Sequence, residues 1–316
     1  MPLLPKHLTA GDMIGVISPS GPVRDRTLYA RGVQQIEADG FGVIEAAHAL
    51  TRYFHMSATG PEKGQDINAL FADSKVKAIF PTLGGHTANQ VLPYIRWDVI
   101  RDNPKVFCGF SDSSVLLNAV FAKTGLVCFH TLCDVVFGYG IFGTGKLQTD
   151  GKYTRENLKK VLMTPAPLGP IPQLNVWEGL RSGVVDGTLL GGNLSTIRSL
   201  IGTEYEPNWE GAILFLEDSA EPHRWDQQLG HLELAGVFRK IGGLLVGNCE
   251  RPDLFYPDGY QTLREIVARY CEQYAFPVVY RADFGHNIEN CTLPVGLVVR
   301  LDGANAQLSL TSAAVG

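Results

Sequence analysis

The feature that most constrains this chain is an alternation in its first half. Short β-branched apolar runs, MIGVISPS, VIEA, VKAIFPT, VFCGF and LVCFH, are separated by longer helix-like stretches at residues 24–39, 62–71, 91–100 and 113–123. Strands that alternate with helices form consecutive strand–helix–strand units, and these close into a parallel sheet wrapped by helices. The punctuation agrees. Gly40 and Gly42 bracket the exit of the first helix, and Gly125 follows Lys123 and Thr124 as a stop signal. Val115, Leu116, Ala119 and Val120 share one face of the helix from residue 113, as expected when one side packs on a sheet.

Beyond Gly138 the periodicity fades. The stretch TPAPLGPIP places four prolines within eight residues, which no helix or central strand accommodates. The pattern then turns strand-rich and glycine-punctuated, through VVDGTLLGGN, AILFLED, IGGLLVGNC, FPVVYRADFGHN and LPVGLVVRLDG, with helical stretches at 225–238 and 260–274. With 316 residues the chain exceeds one ordinary core. The expected organisation is an α/β domain over 1–143, a linker over 144–178, and a smaller, β-rich domain over 179–316.

Composition narrows the function classes. Hydrophobic residues are 45% and charged residues 19%, which excludes disordered and fibrous architectures. A formal net charge of −5 with no Lys/Arg-rich stripe argues against nucleic-acid binding. The start, MPLLPKHLTAGDMIGV, does not read as a secretory signal, and no apolar run approaches the ~20 residues of a membrane span. The six cysteines, Cys108, Cys128, Cys133, Cys249, Cys271 and Cys291, show neither a CxxC pair nor zinc-site spacing and read as buried free thiols. A cytoplasmic protein that uses no metal or organic cofactor is expected.

In open parallel sheets the site lies beyond the carboxyl ends of the strands. The strand-to-helix turns there are SPSGP at 18–22, TLGGHTAN at 82–89, GFSDSS at 109–114 and the stretch from His130. In VFCGFSDSSVLL a buried strand ends at Phe110 and a helix begins within a few residues, which puts Ser111 at a sharp turn, as in a nucleophile elbow. The elbow signature GxSxG is not met, because Ser113 takes the last position. A simple helix cap by Ser111, Asp112, Ser113 or Ser114 is the competing explanation.

A hydroxyl nucleophile also needs donors for a developing oxyanion. Gly84 and Gly85 offer unhindered amides, and the amide of Asp112 follows the serine at the positive end of a helix dipole. The glycines also suit a plain tight turn. Among eight histidines, His286 in the Gly-flanked loop DFGHN is the candidate base, with His130 and His86 as rivals at strand ends. Glu217, at the end of AILFLED, is the candidate orienting acid, with Asp218 and Asp283 as competitors. Two motifs do not fit their contexts. GYGIFG at 138–143 opens no apolar helix, and GTGK at 143–146 lacks the spacing and the following Ser/Thr of a phosphate loop.

Taken together, GDMIGVISPSGP, PTLGGHTANQVLPYI, NPKVFCGFSDSSVLL, LLGGNLSTI, LFLEDS and the histidine loop before LPVGL resemble the LD-carboxypeptidases of peptidoglycan recycling and the related microcin C self-immunity peptidases. The resemblance runs along nearly the whole chain and is somewhat nearer the microcin-immunity branch. It implies a Rossmann-like or flavodoxin-like amino-terminal domain with a smaller β-rich carboxyl-terminal domain, and a homodimer. It places a Ser-Glu-His triad on Ser111, Glu217 and His286, with oxyanion amides on the Gly84–Gly85 turn and Asp112. The implied substrate is a small peptide or an aminoacyl-nucleotide, with candidate contacts at Pro19, Asn193 and Trp177. Trp177 suits either stacking on a nucleobase or plain burial. His86 and the segment VWEGLRSG depart from the family pattern. A non-catalytic ligand-binding α/β protein is the remaining alternative.

Overall fold

Five parallel strands form where the alternation places them: β1 (Met13–Ile17), β2 (Gly42–Glu45), β3 (Val76–Pro81), β4 (Val106–Gly109) and β5 (Cys128–His130). The computed structural model describes residues 2–140, 149–249 and 260–316. The strands lie in the order β2-β1-β3-β4-β5. This is the flavodoxin-like order, whose direction reverses between β1 and β3 and opens a crevice beyond the carboxyl ends there.

The helices of this half are α1 (Arg26–Ala38), α2 (Gly60–Ala72), α3 (Trp97–Asp102) and α4 (Ser114–Thr124). Their ends follow from local chemistry. Asp25 caps α1 by accepting from the N–H groups of Thr27 and Leu28, and Thr59 with Glu62 forms a capping box on α2. Gly125, at φ +76°, ends α4 in the left-handed conformation. Residues 91–100 depart from the expected helix. Pro93 sits in a 3₁₀ segment, Ala88–Tyr94, and only the short α3 follows.

The stretch expected to be linker contains α5 (Lys152–Met163), which buries Thr154, Asn157, Leu158, Val161 and Leu162 on one side. That helical spacing is present in KYTRENLKKVLM, and the neighbouring prolines mask it. Next come β6 (Gly169–Pro170), β7 (Glu178–Arg181), β8 (Val184–Asn193), α6 (Leu194–Ile197), β9 (Ile213–Glu217), α7 (Pro222–Leu234), β10 (Gly243–Gly247), α8 (Leu263–Cys271), β11 (Val278–Ala282), β12 (Leu293–Val295), β13 (Val298–Asp302) and β14 (Gln307–Leu310). The second sheet runs β6-β14-β13-β8-β9-β10-β11-β7. Its four central strands, β8 to β11, are parallel, and the flanking pairs are antiparallel.

The two halves are closely joined. β12 crosses back to pair antiparallel with β5 at the edge of the first sheet, Leu293 opposite His130. Helix α4 is buried on more than its sheet-facing stripe, because β8 and α6 cover its other side. Across that contact the Asn118 side chain donates to Gly191 O at 2.7 Å and accepts from Gly191 N at 3.1 Å. Among the described residues the buried apolar side chains, apart from Phe110 and Leu132, form one contiguous cluster through both sheets. All six cysteines are buried, and none of them forms a disulfide. Among the described residues no helix is long and apolar enough to cross a membrane.

Candidate active site

The turn after β4 is an elbow. Phe110 is extended, Ser111 has φ +54°, and a 3₁₀ turn over Ser111–Ser113 leads into α4. Left-handed backbone at a serine is strained and persists only when the surroundings fix it. The cap explanation fails for this hydroxyl: Ser113 is the N-cap residue of α4, and no side chain caps that end. The Ser111 hydroxyl instead lies 3.1 Å from Nε2 of His286.

His286 sits on the loop after β11, with Nδ1 2.6 Å from Oε2 of Glu217 at the end of β9. Glu217 is fully buried, and its other carboxylate oxygen accepts the Asn193 side-chain N–H at 3.1 Å. Burial alone would raise the Glu217 carboxyl and lower the His286 imidazole. Mutual charge and the shared hydrogen bond win, so Glu217 sits below and His286 above its ordinary value. With Nδ1–H donated to the carboxylate, Nε2 presents its lone pair to the Ser111 hydroxyl.

The loop that carries His286 is anchored on both flanks. Asp283, fully buried, accepts the backbone N–H groups of Leu174 and Asn175, the Asn175 amide and the Trp177 indole N–H. Asn290 bonds Gly285 at both its N–H and its carbonyl, and Glu289 accepts the Thr154 N–H at the start of α5. Phe110 packs its ring 4.7 Å from the imidazole, centroid to centroid.

The Gly84–Gly85 turn lies against the same serine. A Cβ on Gly84 would stand 3.0 Å from both Cβ and Oγ of Ser111, and Gly85 has φ +151° with Ser20 Oγ 2.3 Å from where its Cβ would be. Only glycine brings the backbone this close. Three strand-end turns thus meet at the β1/β3 crevice: Gly21 N–H donates to Gly84 O at 3.1 Å, and Ser20 Oγ donates to Asp112 Oδ2 at 2.5 Å.

Several expected site residues lie elsewhere or do something else. His86 is exposed. His130 is fully buried among Phe110, Phe215 and Phe284, and burial pushes its imidazole down to about 4, so it is neutral. Asp218 is engaged by the Ser195 N–H and hydroxyl. Pro19 offers no side-chain donor, and the hydroxyl that matters at its turn is that of the neighbouring Ser20. The Asn193 amide donates to Glu217 at 3.1 Å. Trp177 is only 4% exposed with its indole N–H on Asp283, which fits burial rather than stacking. Of GYGIFG, residues through Tyr139 end a π-helical turn, Val135–Tyr139; residues 141–143, like GTGK at 143–146, lie outside the described residues. Among the described residues no group of His, Cys, Asp or Glu could hold a metal.

The sequence reading missed Ser20, Lys63, Asp134 and the anchoring role of Asp283. Asp134 is buried beside His286 and Gly84, and burial holds its carboxyl well above the ordinary range. Nothing in the local pattern marks these side chains, since each acts through a partner distant in sequence.

A flavodoxin-like sheet, a strained serine elbow and an imidazole–carboxylate pair brought from a second sheet define a serine-hydrolase-like enzyme. The LD-carboxypeptidase N-terminal domain profile matches residues 14–131, and the C-terminal domain profile matches residues 186–301. The chain belongs to the LD-carboxypeptidase family, with carboxypeptidase-named relatives supporting a serine-peptidase-like hydrolase, which sets aside the non-catalytic alternative. It is 30% identical to the microcin C7 self-immunity protein MccF of Escherichia coli, over 98% of this chain and 96% of that protein. It is 26% identical to the murein tetrapeptide carboxypeptidase of Pseudomonas aeruginosa, over 92% and 93%. The structure of MccF in complex with aspartyl sulfamoyl adenosine superposes with a TM-score of 0.90 at 28% identity, covering 100% of both chains.

Proposed function

We propose that the chain is a serine carboxypeptidase in which Ser111 attacks an amide carbonyl, His286 accepts its proton and Glu217 holds the imidazole. The observation that carries this reading is the unbroken line from Ser111 Oγ to His286 Nε2 at 3.1 Å and from His286 Nδ1 to Glu217 at 2.6 Å. The amides of the Gly84–Gly85 turn and of Asp112 stabilise the tetrahedral oxyanion. His286 then protonates the leaving amine, and water, deprotonated by the same imidazole, releases the acyl group from Ser111. On this reading residues 1–143 supply the nucleophile, 144–178 connect, and 179–316 supply the acid and the base. The boundary at 143–144 lies outside the described residues.

The first substrate is the L,D-amide of a murein tetrapeptide, with release of terminal D-alanine. The second is an aminoacyl-nucleotide of the processed microcin C type, favoured by the higher identity to MccF and the superposition on its nucleotide complex. Incubation with murein tetrapeptide and with aspartyl sulfamoyl adenosine, followed by product mass, tests both. Free D-alanine supports the first, free nucleoside sulfamate supports the second, and no product from either overturns the proposal. The protein works as a homodimer, which light scattering in solution checks.

A further inference from the structure

Behind the site runs a buried polar chain that the triad does not use. Lys63 of α2 is 1% exposed, yet carries an ammonium. It donates to the carbonyl oxygen and the hydroxyl of Thr87 at 3.2 and 3.1 Å. Thr87 closes the glycine turn, and its N–H donates to Ser20 Oγ at 3.2 Å. Ser20 Oγ donates in turn to Asp112 Oδ2, which also accepts the Ala88 N–H at 2.8 Å. Asp112 therefore has two ends with different tasks. Its backbone nitrogen lies 3.6 Å from where a Cβ on Gly84 would stand, next to Ser111, while its carboxylate is tied to Ser20 and to the Ala88 N–H.

Burying an ammonium is costly unless it is compensated. An apolar side chain of similar length would fill the same volume without that cost. Burial draws the Lys63 ammonium down to about 8, and the Asp112 carboxylate opposes the shift. The turns it links come from three different strands. Besides the Gly21 to Gly84 hydrogen bond and that between the Ser18 and Thr82 hydroxyls, the hydrogen bonds between them run through Ser20, Thr87, Ala88 and Asp112.

We propose that Lys63 is a positioning residue for hydrolysis: with the Asp112 carboxylate it locks the Gly84–Gly85 turn to the Ser111 turn, so that amides from both aim at one oxyanion. The inference rests on Ser111 as nucleophile. Oxyanion stabilisation depends on donors fixed before the reaction, and a displacement of about 1 Å costs about 100-fold in rate.

The test compares Lys63→Met, Asp112→Asn, their double variant and Ser20→Ala with the unaltered chain and with Ser111→Ala. Turnover is followed on murein tetrapeptide and on aspartyl sulfamoyl adenosine, together with the rate at which a fluorophosphonate labels Ser111, read by intact mass. Lys63→Met should lower kcat and the labelling rate about 10- to 100-fold while KM moves less than about twofold. The double variant should be no slower than the slower single, because both cut one link. A lower melting temperature with kcat unchanged would make Lys63 merely structural and overturn the proposal, as would additive losses. If Lys63→Met does not fold, Ser20→Ala, which breaks the link and keeps the ammonium, is judged by the same numbers. Turnover by Ser111→Ala would instead remove the nucleophile reading, an outcome distinct from any result at Lys63.

Discussion

The hydroxyl of Ser111 and Nε2 of His286 lie 3.1 Å apart although 175 positions separate them in the chain. The serine comes from the end of β4 in one sheet and the histidine from the end of β11 in the other. The continuous core around α4 holds both ends in register, so the proposed proton transfer depends on packing between the halves rather than on either half alone.

Ser111→Ala and His286→Ala should each lower kcat by about 10⁴-fold or more, and the double variant should be little worse than either single. Steady-state kinetics on the substrate that is turned over, with circular dichroism to confirm the fold, checks this. Near-normal turnover by either variant would refute the proposed triad.

Glu217→Gln keeps the shape of the buried side chain and removes its charge. The loss expected is about 10³- to 10⁴-fold in kcat, because the imidazole loses its fixed tautomer and the stabilisation of its cation. The His286 pKa should fall at the same time, since the charge that holds it up is gone. Imidazole proton resonances followed through a pH titration measure that shift directly.

On the proposed mechanism activity requires neutral His286, whose pKa is raised by Glu217 against the effect of burial. The acid limb of kcat/KM should therefore lie above the ordinary imidazole value of about 6.5, with activity rising as pH rises through it. Stability follows the opposite sense for this group. A raised pKa means the folded state holds the proton more tightly, so the contribution is complete below about pH 6.5 and fades as pH rises through the folded value. For Glu217, whose pKa is lowered, the contribution is present above the ordinary carboxylate value and is lost as pH falls through the folded one. A pH–rate profile and a series of urea melts separate the two trends.

Gly84→Ala would set a methyl 3.0 Å from Ser111 Cβ and Oγ, tighter than a relaxed contact. The turn or the serine must shift, and about a 100-fold loss in kcat is expected with a much smaller change in stability. An equal fall in kcat and melting temperature to that of a misfolded protein would contradict this account.

Asp283→Ala removes the acceptor of four N–H donors that anchor the 174–177 segment to the histidine loop. The Trp177 indole N–H left unpaired in the interior, with three part-buried N–H groups losing the same acceptor, should destabilise the protein by about 1–3 kcal/mol in urea unfolding. Because His286 follows three positions later, kcat should fall as well, even where the protein remains folded.

Much of this was legible in one dimension. The βαβ alternation, the elbow context of Ser111 and the glycine pair at 84–85 rest on local rules of strand burial, turn geometry and steric clearance, and these operate within about ten residues. The helix α5 was hidden by the prolines beside it, and the parallel core of the second sheet by short strands whose pairing no local pattern encodes. Side-chain roles were less accessible still. The partners of two candidate substrate contacts are an example: Asn193 holds Glu217, and Trp177 is bound to Asp283 in the interior.

The sequence by itself determined most element types of the first half, the α/β class and a short set of chemically able residues, because propensity and periodicity are short-range properties. Which of three histidines meets the serine, and that Lys63, Ser20 and Asp112 join turns from three strands, were decided by the tertiary structure. Hydrogen bonds and desolvation act across a few ångströms of space whatever the separation along the chain, and only the packed fold sets those distances.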